Sequence, residues 1–318
     1  MSEPAITTNG LSKAFGSLVA LHPLDLEMAA GEVLGYLGPN GAGKTVTIRL
    51  LLGLLRPTAG GARIFGLDSQ ADTADAHRHL AYVPGEASLW PALTGEETLH
   101  LLGRVHGRVD GRYRDELVER FALDPTRKVR TLSKGNRQKI SLIAAFMSRA
   151  ELLVLDEPTS GLDPLMEQEF RRAVLEAKDG GQAVFLSSHI LSEVEALCDR
   201  IAILRAGRLV ETGTMSDLRH LSALTVEVTF DGTPPDLDGV PGVSQVEIVG
   251  SLLRCQVNGP IEPLLQRLST ARVTQLLSRE PSLEEIFLAH YGVSSLELGR
   301  EPAAPRAGDG DDGGDDPR

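Results

Sequence analysis

The chain has 318 residues, enough for one large domain or a large one with a small one, so core size limits nothing. Its formal net charge is −12, of which Glu297 to Arg318 supplies about a third, with seven acids against three arginines; no Lys/Arg cluster interleaved with aromatics appears, so no nucleic-acid partner is expected. Cys198 and Cys255 are the only two cysteines and read as plain core residues of a reducing compartment, Met1 to Gly10 lacks the features of a secretory signal, and no apolar run approaches the roughly 20 residues that span a bilayer.

Apolar alternation predicts a strand over Leu18 to Met28, and Glu32 to Leu37 reads as a second that runs into a glycine-rich turn. That turn, Gly38-Pro39-Asn40-Gly41-Ala42-Gly43-Lys44-Thr45, matches G-x-x-x-x-G-K-[ST], and a helix is expected at once, from Lys44 to Leu55, with Pro57 as its stop. Strand, loop and helix together form a phosphate cradle. The glycines let backbone N–H groups fold around a β-phosphate, and the helix N-terminus adds positive potential. Lys44 then neutralises β/γ oxygens, and the Thr45 hydroxyl is a hard oxygen suited to Mg²⁺. The expected ligand is ATP with Mg²⁺.

Leu93 to Phe121 is helical in pattern, with Leu99, Leu102, Leu117 and Val118 among its apolar positions, and a helical subdomain is expected over about 88–150. Its last helix follows Ser133, which by itself is an N-cap. Leu152 to Leu155 is a wholly apolar strand that delivers Asp156 and Glu157 to its mouth, where open α/β sheets bind ligands. Asp156 is assigned to the metal, and Glu157 to orienting or deprotonating the attacking water. Alone, an acidic strand end before Pro158 reads more simply as a turn; the phosphate loop upstream favours the catalytic reading. A helix over Pro164 to Lys178 and a strand over Ala183 to Leu186 follow. His189, beyond Ser187-Ser188, reads either as a γ-phosphate sensor or as a capping or buried structural histidine.

Alternating strands and helices predict an α/β fold with a P-loop NTPase core over residues 1–221. A small α+β domain is expected over 222–296, with strands Leu224 to Phe230 and Leu252 to Val257 and helices near Ile261 to Leu268 and Ser282 to His290. The acidic Gly/Asp/Pro tail over 297–318 is expected to be disordered.

The order of phosphate loop, Leu132-Ser133-Lys134-Gly135-Asn136, leucine-rich strand with Asp156-Glu157, Ser160-Gly161-Leu162-Asp163 and His189 resembles an ABC-transporter ATPase subunit over about residues 5–220. The resemblance implies a head-to-tail dimer closed on ATP, in which Ser133, Gly135, Asn136 and Asp163 of one subunit serve the ATP held by the other. It also implies that His189 contacts the γ-phosphate and that Phe15 stacks on adenine; the plainer reading of Phe15 is a strand core residue. Three departures stand out. Gly85-Glu86 occupies the place of the family's glutamine after Pro84, Asn136 replaces the terminal Gln of the LSGGQ pattern, and Val46 replaces a second hydroxyl expected near the α-phosphate. The ending Glu280 to Phe287 resembles the C-terminal extension of bacterial multidrug or antibiotic-export ATPases of the daunorubicin type. The expectation is therefore an ATPase subunit at the cytoplasmic face of the membrane that drives a separately encoded permease. A soluble ABC-type ATPase acting on ribosomes or DNA, and a regulatory module that does not hydrolyse ATP, are the rival readings.

Overall fold

A computed structural model of the chain describes residues 3–107, 109–220 and 224–279. The first half runs β1 (Ile6–Phe15), β2 (Leu18–Met28), β3 (Val33–Leu37), α1 (Lys44–Leu51), β4 (Ala59–Ile64), β5 (Leu67–Asp68), α2 (Thr73–Ala76), β6 (Leu80–Val83), α3 (Gly95–His106), α4 (Gly111–Arg120) and α5 (Lys134–Met147). There follow β7 (Leu152–Asp156), α6 (Pro164–Asp179), β8 (Ala183–Ser188), α7 (Leu191–Leu197), β9 (Arg200–Arg205), β10 (Arg208–Thr214) and α8 (Met215–His220). The last described elements are β11 (Leu224–Phe230), β12 (Val243–Val249), β13 (Leu252–Val257), α9 (Glu262–Leu268) and β14 (Val273–Arg279). The expected domain boundary at 221/222, the helix near Ser282 to His290 and the tail over 297–318 lie outside the described residues.

The central sheet has the order β10-β9-β3-β8-β7-β6, parallel except for the β9–β10 hairpin. Its strands β3, β7 and β8 are buried along their whole length, as strands of a parallel sheet covered on both faces are. Strand alternation then divides their side chains between two cores. Val33, Leu153, Leu155, Val184 and Leu186 pack with α3 to α6, whereas Leu34, Tyr36, Leu152, Val154 and Phe185 pack with α1 and the antiparallel sheet β2-β1-β4-β5. Register fixes the site. Leu37 of β3 pairs with Ser188, and Asp156 of β7 pairs with Ser187, so the loops leaving β3, β7 and β8 emerge side by side at the carboxyl ends of adjacent strands. A third, antiparallel sheet, β12-β13-β11-β14, holds a separate core of Val226, Val228, Leu253 and Cys255 under α9.

Two helical expectations need correction. α1 ends at Leu51 rather than Leu55, because Gly53 takes a left-handed φ of 66° and Leu54 and Leu55 both turn back to donate to the Arg49 carbonyl. The long helical pattern from Leu93 to Phe121 is two helices, broken where Gly107 caps α3 at φ 69°. Cys198 is only half-buried, packed with α7 against β3 at Gly35, while Cys255 is buried; both are free thiols.

Candidate functional site

Backbone contacts shape the loop between β3 and α1. A Cβ at Gly38 would stand 2.6 Å from the Leu204 carbonyl of β9, so only glycine lets the loop leave β3 this close to its neighbour. The Ala42 carbonyl accepts from the Gly207 N–H at 2.8 Å, and the Gly207 carbonyl accepts from the His22 N–H at 2.7 Å. The turn between β9 and β10 therefore clamps the loop to β2.

Pro39, Asn40, Gly41, Gly43, Lys44, Thr45 and Val46 line an open cleft of about 400 Å³ with Glu157, the β2 residues Leu18 to Ala20, and Ala206-Gly207. Gly38 and Ala42 are buried and shape the loop without lining the cleft. Lys44 is only 3% exposed, and its ammonium group donates to the carbonyls of Gly38 at 2.6 Å and Pro39 at 3.3 Å. Glu157 completes its environment, with Oε1 3.1 Å from Lys44 Nζ. The other carboxylate oxygen of Glu157 lies 3.5 Å from His189 Nδ1. Lys44, Glu157 and His189 thus form one row from the loop to the end of β8.

Thr45 Oγ1 donates to Asp156 Oδ2 at 3.0 Å, and Ser187 Oγ donates to Asp156 Oδ1 at 2.6 Å. Burial, and then the charge of Asp156, push the Tyr82 hydroxyl up to about 12. A hydroxyl and a carboxylate that already meet fit a hard cation such as Mg²⁺. Among the described residues no three His, Cys, Asp or Glu side chains converge on a metal position.

Glu157 has φ +46°, a left-handed conformation uncommon outside glycine, and its N–H donates to the Ser187 carbonyl at 3.0 Å. Strained backbone of this kind concentrates at functional sites and persists only where its surroundings hold it. Position 85 sits directly behind: a Cβ on Gly85 would be 3.1 Å from the Asp156 carbonyl oxygen. Glu86, the next residue, is exposed.

Two plainer readings are overturned. Phe15 is 49% exposed at the end of β1, opposite Leu18 and under the Lys13 ammonium group 5.0 Å from its ring, so it is not a core residue; it does not line the cleft that its neighbour Leu18 lines. His189 is 48% exposed, and the residue preceding α7 is Ile190, so it is neither buried nor a cap. Ser133 does cap α5, accepting from the Asn136 N–H at 3.2 Å, and Asp163 caps α6, accepting from Leu165 and Met166. Lys134 Nζ donates to Ser160 Oγ at 2.8 Å, and Gly135 packs on the Gly161 carbonyl. None of these contacts joins Ser133, Gly135, Asn136 or Asp163 to the phosphate loop.

Sequence reasoning missed the β2 and Ala206-Gly207 walls of the cleft. Ala-Gly between β9 and β10 is a readable turn signal, but its contact with Ala42 is tertiary. The part played by Ser187 was equally hidden, since its neighbour Asp156 is distant in sequence.

A parallel sheet with a phosphate loop after β3 and a carboxylate pair after β7 defines a nucleotide-binding ATPase of the P-loop class. Residues 21–160 match the family model described as ABC transporter. Daunorubicin resistance ATP-binding protein DrrA3 of Streptomyces coeruleorubidus is 34% identical over 313 residues, covering 91% of this chain and 96% of that protein. Nod factor export ATP-binding protein I of a Rhizobium species is 33% identical over 301 residues, covering 92% and 98%. A solved ATP binding subunit of an ABC transporter superposes with a TM-score of 0.64 at 32% identity, covering 68% of this chain and 92% of that one. The chain belongs to the ABC transporter family, as one of its ATP-binding, ATP-hydrolysing subunits. Among the described residues no helix is long and apolar enough to cross a membrane.

Proposed function

We propose that Lys44, Thr45, Asp156, Glu157 and His189 form a Mg²⁺-dependent site for ATP hydrolysis. The observation that carries the reading is the row in which Glu157 lies between Lys44 at 3.1 Å and His189 at 3.5 Å, beside the paired Thr45 and Asp156. Lys44 exchanges part of its contact with the loop carbonyls and Glu157 for phosphate oxygens when ATP enters. That exchange frees Glu157, whose carboxylate orients the attacking water and takes its proton. His189 then offers a ring nitrogen to the γ-phosphate. Thr45 and Asp156 would hold Mg²⁺, which would supply positive charge against the phosphate oxygens.

Ser133, Gly135, Asn136 and Asp163 are assigned to the ATP of a second copy, and Phe15 to the adenine face. Exposure of Ser133 and Phe15 supports both assignments, since each is open to a ligand or partner. The names of the relatives, daunorubicin resistance and Nod factor export, are the ground for placing this chain with exporters of drug-like or lipophilic compounds. In this reading it works at the cytoplasmic face of the membrane, bound to a separately encoded permease.

Phosphate release by wild type and by Glu157→Gln tests the site. Turnover in the wild type should need Mg²⁺ and vanish with a chelator, while Glu157→Gln should bind ATP and lose at least about a hundredfold in rate. Equal turnover in the two proteins removes Glu157 from its role.

A further inference from the structure

Gln138, on α5, is fully buried, at 0% exposure. Its Nε2 donates to the Pro84 carbonyl and to the Pro158 carbonyl, at 3.2 Å each, while its Oε1 is buried without a partner. The orientation is fixed by chemistry: both proline groups are pure acceptors, so the amide nitrogen must face them. A side chain that only filled space here would do so without stranding a buried oxygen.

The two carbonyls flank the strand end that carries Asp156 and Glu157. Pro158 follows Glu157 directly. Pro84 precedes Gly85, which lies against the Asp156 carbonyl. Two further contacts from the first turn of the same helix, Lys134 to Ser160 and Gly135 to Gly161, reach the turn that Pro158 begins. Glu157 itself is held at φ +46°, directly before Pro158.

We infer that Gln138 is a positioning residue for hydrolysis: its amide ties the helix that starts at Ser133 to the backbone on both sides of Asp156-Glu157, so a displacement of α5 reaches the Glu157 carboxylate. The inference rests on the reading of Glu157 as the group that handles the attacking water.

Gln138→Met keeps length and volume and removes both donors. In steady-state phosphate release by the full chain, kcat should fall about tenfold while the KM for ATP and calorimetric ATP affinity stay at wild-type values. Amide hydrogen exchange should quicken at 159–161 and 85–86 and remain unchanged elsewhere. An unchanged kcat overturns the inference. So does a parallel loss of ATP affinity, or faster exchange throughout the chain, either of which makes Gln138 a packing residue. If Gln138→Met does not fold, Gln138→Asn, which withdraws the nitrogen by one methylene, should show the same split, and the same contrary results overturn the inference. Glu157→Gln is assayed alongside. Wild-type turnover in that variant removes the catalytic reading and the inference together, whereas lost turnover there with wild-type kcat in Gln138→Met overturns the Gln138 role alone.

Discussion

Lys44 is almost fully buried at the wall of the cleft, where two loop carbonyls and Glu157 satisfy its charge. In the proposed site the ammonium group trades part of these contacts for phosphate oxygens. Removing it strands the carboxylate and deletes a charge-assisted contact worth about 1.5–3 kcal/mol. Lys44→Ala should accordingly weaken ATP binding by about ten- to a hundredfold in calorimetry; an unchanged affinity would show that the loop amides alone grip the nucleotide. Glu193 offers a second residue-scale test. It is buried beneath the His189 loop, its Oε2 accepting from Ser188 Oγ at 2.6 Å, and burial raises its carboxyl above the usual range despite that bond. A carboxylate raised in the fold adds stability that is fully present below its unfolded value, about 4.3, and is lost as pH rises through the folded value. Glu193→Gln keeps an acceptor for Ser188 and never ionises. Its melting temperature should exceed that of the wild type by a few degrees at pH 7.5, with the gap closing toward pH 4.

Between elements, the best-defined polar joint is that of α4 with α6. Arg120, 10% exposed, reaches Glu169 and Glu176 on α6 at 2.9 Å each, and Tyr113 donates to Glu176 at 2.8 Å. Burial alone would raise the Glu176 carboxyl, but the hydrogen bonds from Arg120 and Tyr113 outweigh it and hold the group below its usual range. Arg120→Met leaves two partly exposed carboxylates facing each other, at a cost of about 2 kcal/mol after solvent screening. A fall of about 4–8 °C in melting temperature is expected. Because a depressed carboxyl contributes stability that is lost as pH falls through its folded value, the deficit should shrink below about pH 4. Arg120→Lys should recover little of it, since one ammonium group cannot serve both glutamates with fork geometry. A variant as stable as wild type at neutral pH would demote the joint to surface charge. The same scale shows what the sequence makes legible. β11 reads to the residue because its apolar alternation is unbroken, β2 and β13 because theirs, after a leading apolar run, holds to the last residue, and the carboxylates at the end of β7 follow from an apolar run that reads as a buried strand. β1 escaped notice because Asn9-Gly10 breaks its alternation, and its register shifts there between Thr8 and Leu11. The contacts of Gly207 with Ala42, Ser187 with Asp156 and Gln138 with Pro158 were not legible at all, for each joins residues whose pairing only the assembled sheet creates.

At the scale of the whole molecule, one chain holds a phosphate loop and a Ser133 that do not touch each other. Ser133 is exposed at the start of α5, its hydroxyl engaged only in capping that helix among the described contacts. If it serves a second copy, Ser133→Arg should leave ATP binding by the isolated subunit intact, because the lost cap costs only about 1 kcal/mol and the cleft is elsewhere. Hydrolysis should nevertheless fall at least about a hundredfold, since an arginine cannot enter a site closed around phosphate. Mixing then separates the two geometries. A dimer of one Ser133→Arg subunit with one Lys44→Ala subunit places both defects in the same composite site and leaves the other site with an unaltered Lys44 and an unaltered Ser133. Phosphate release by the mixture should therefore exceed that of either variant alone. If Ser133 acts on its own chain's nucleotide, every site in the mixture carries a defect and no activity returns.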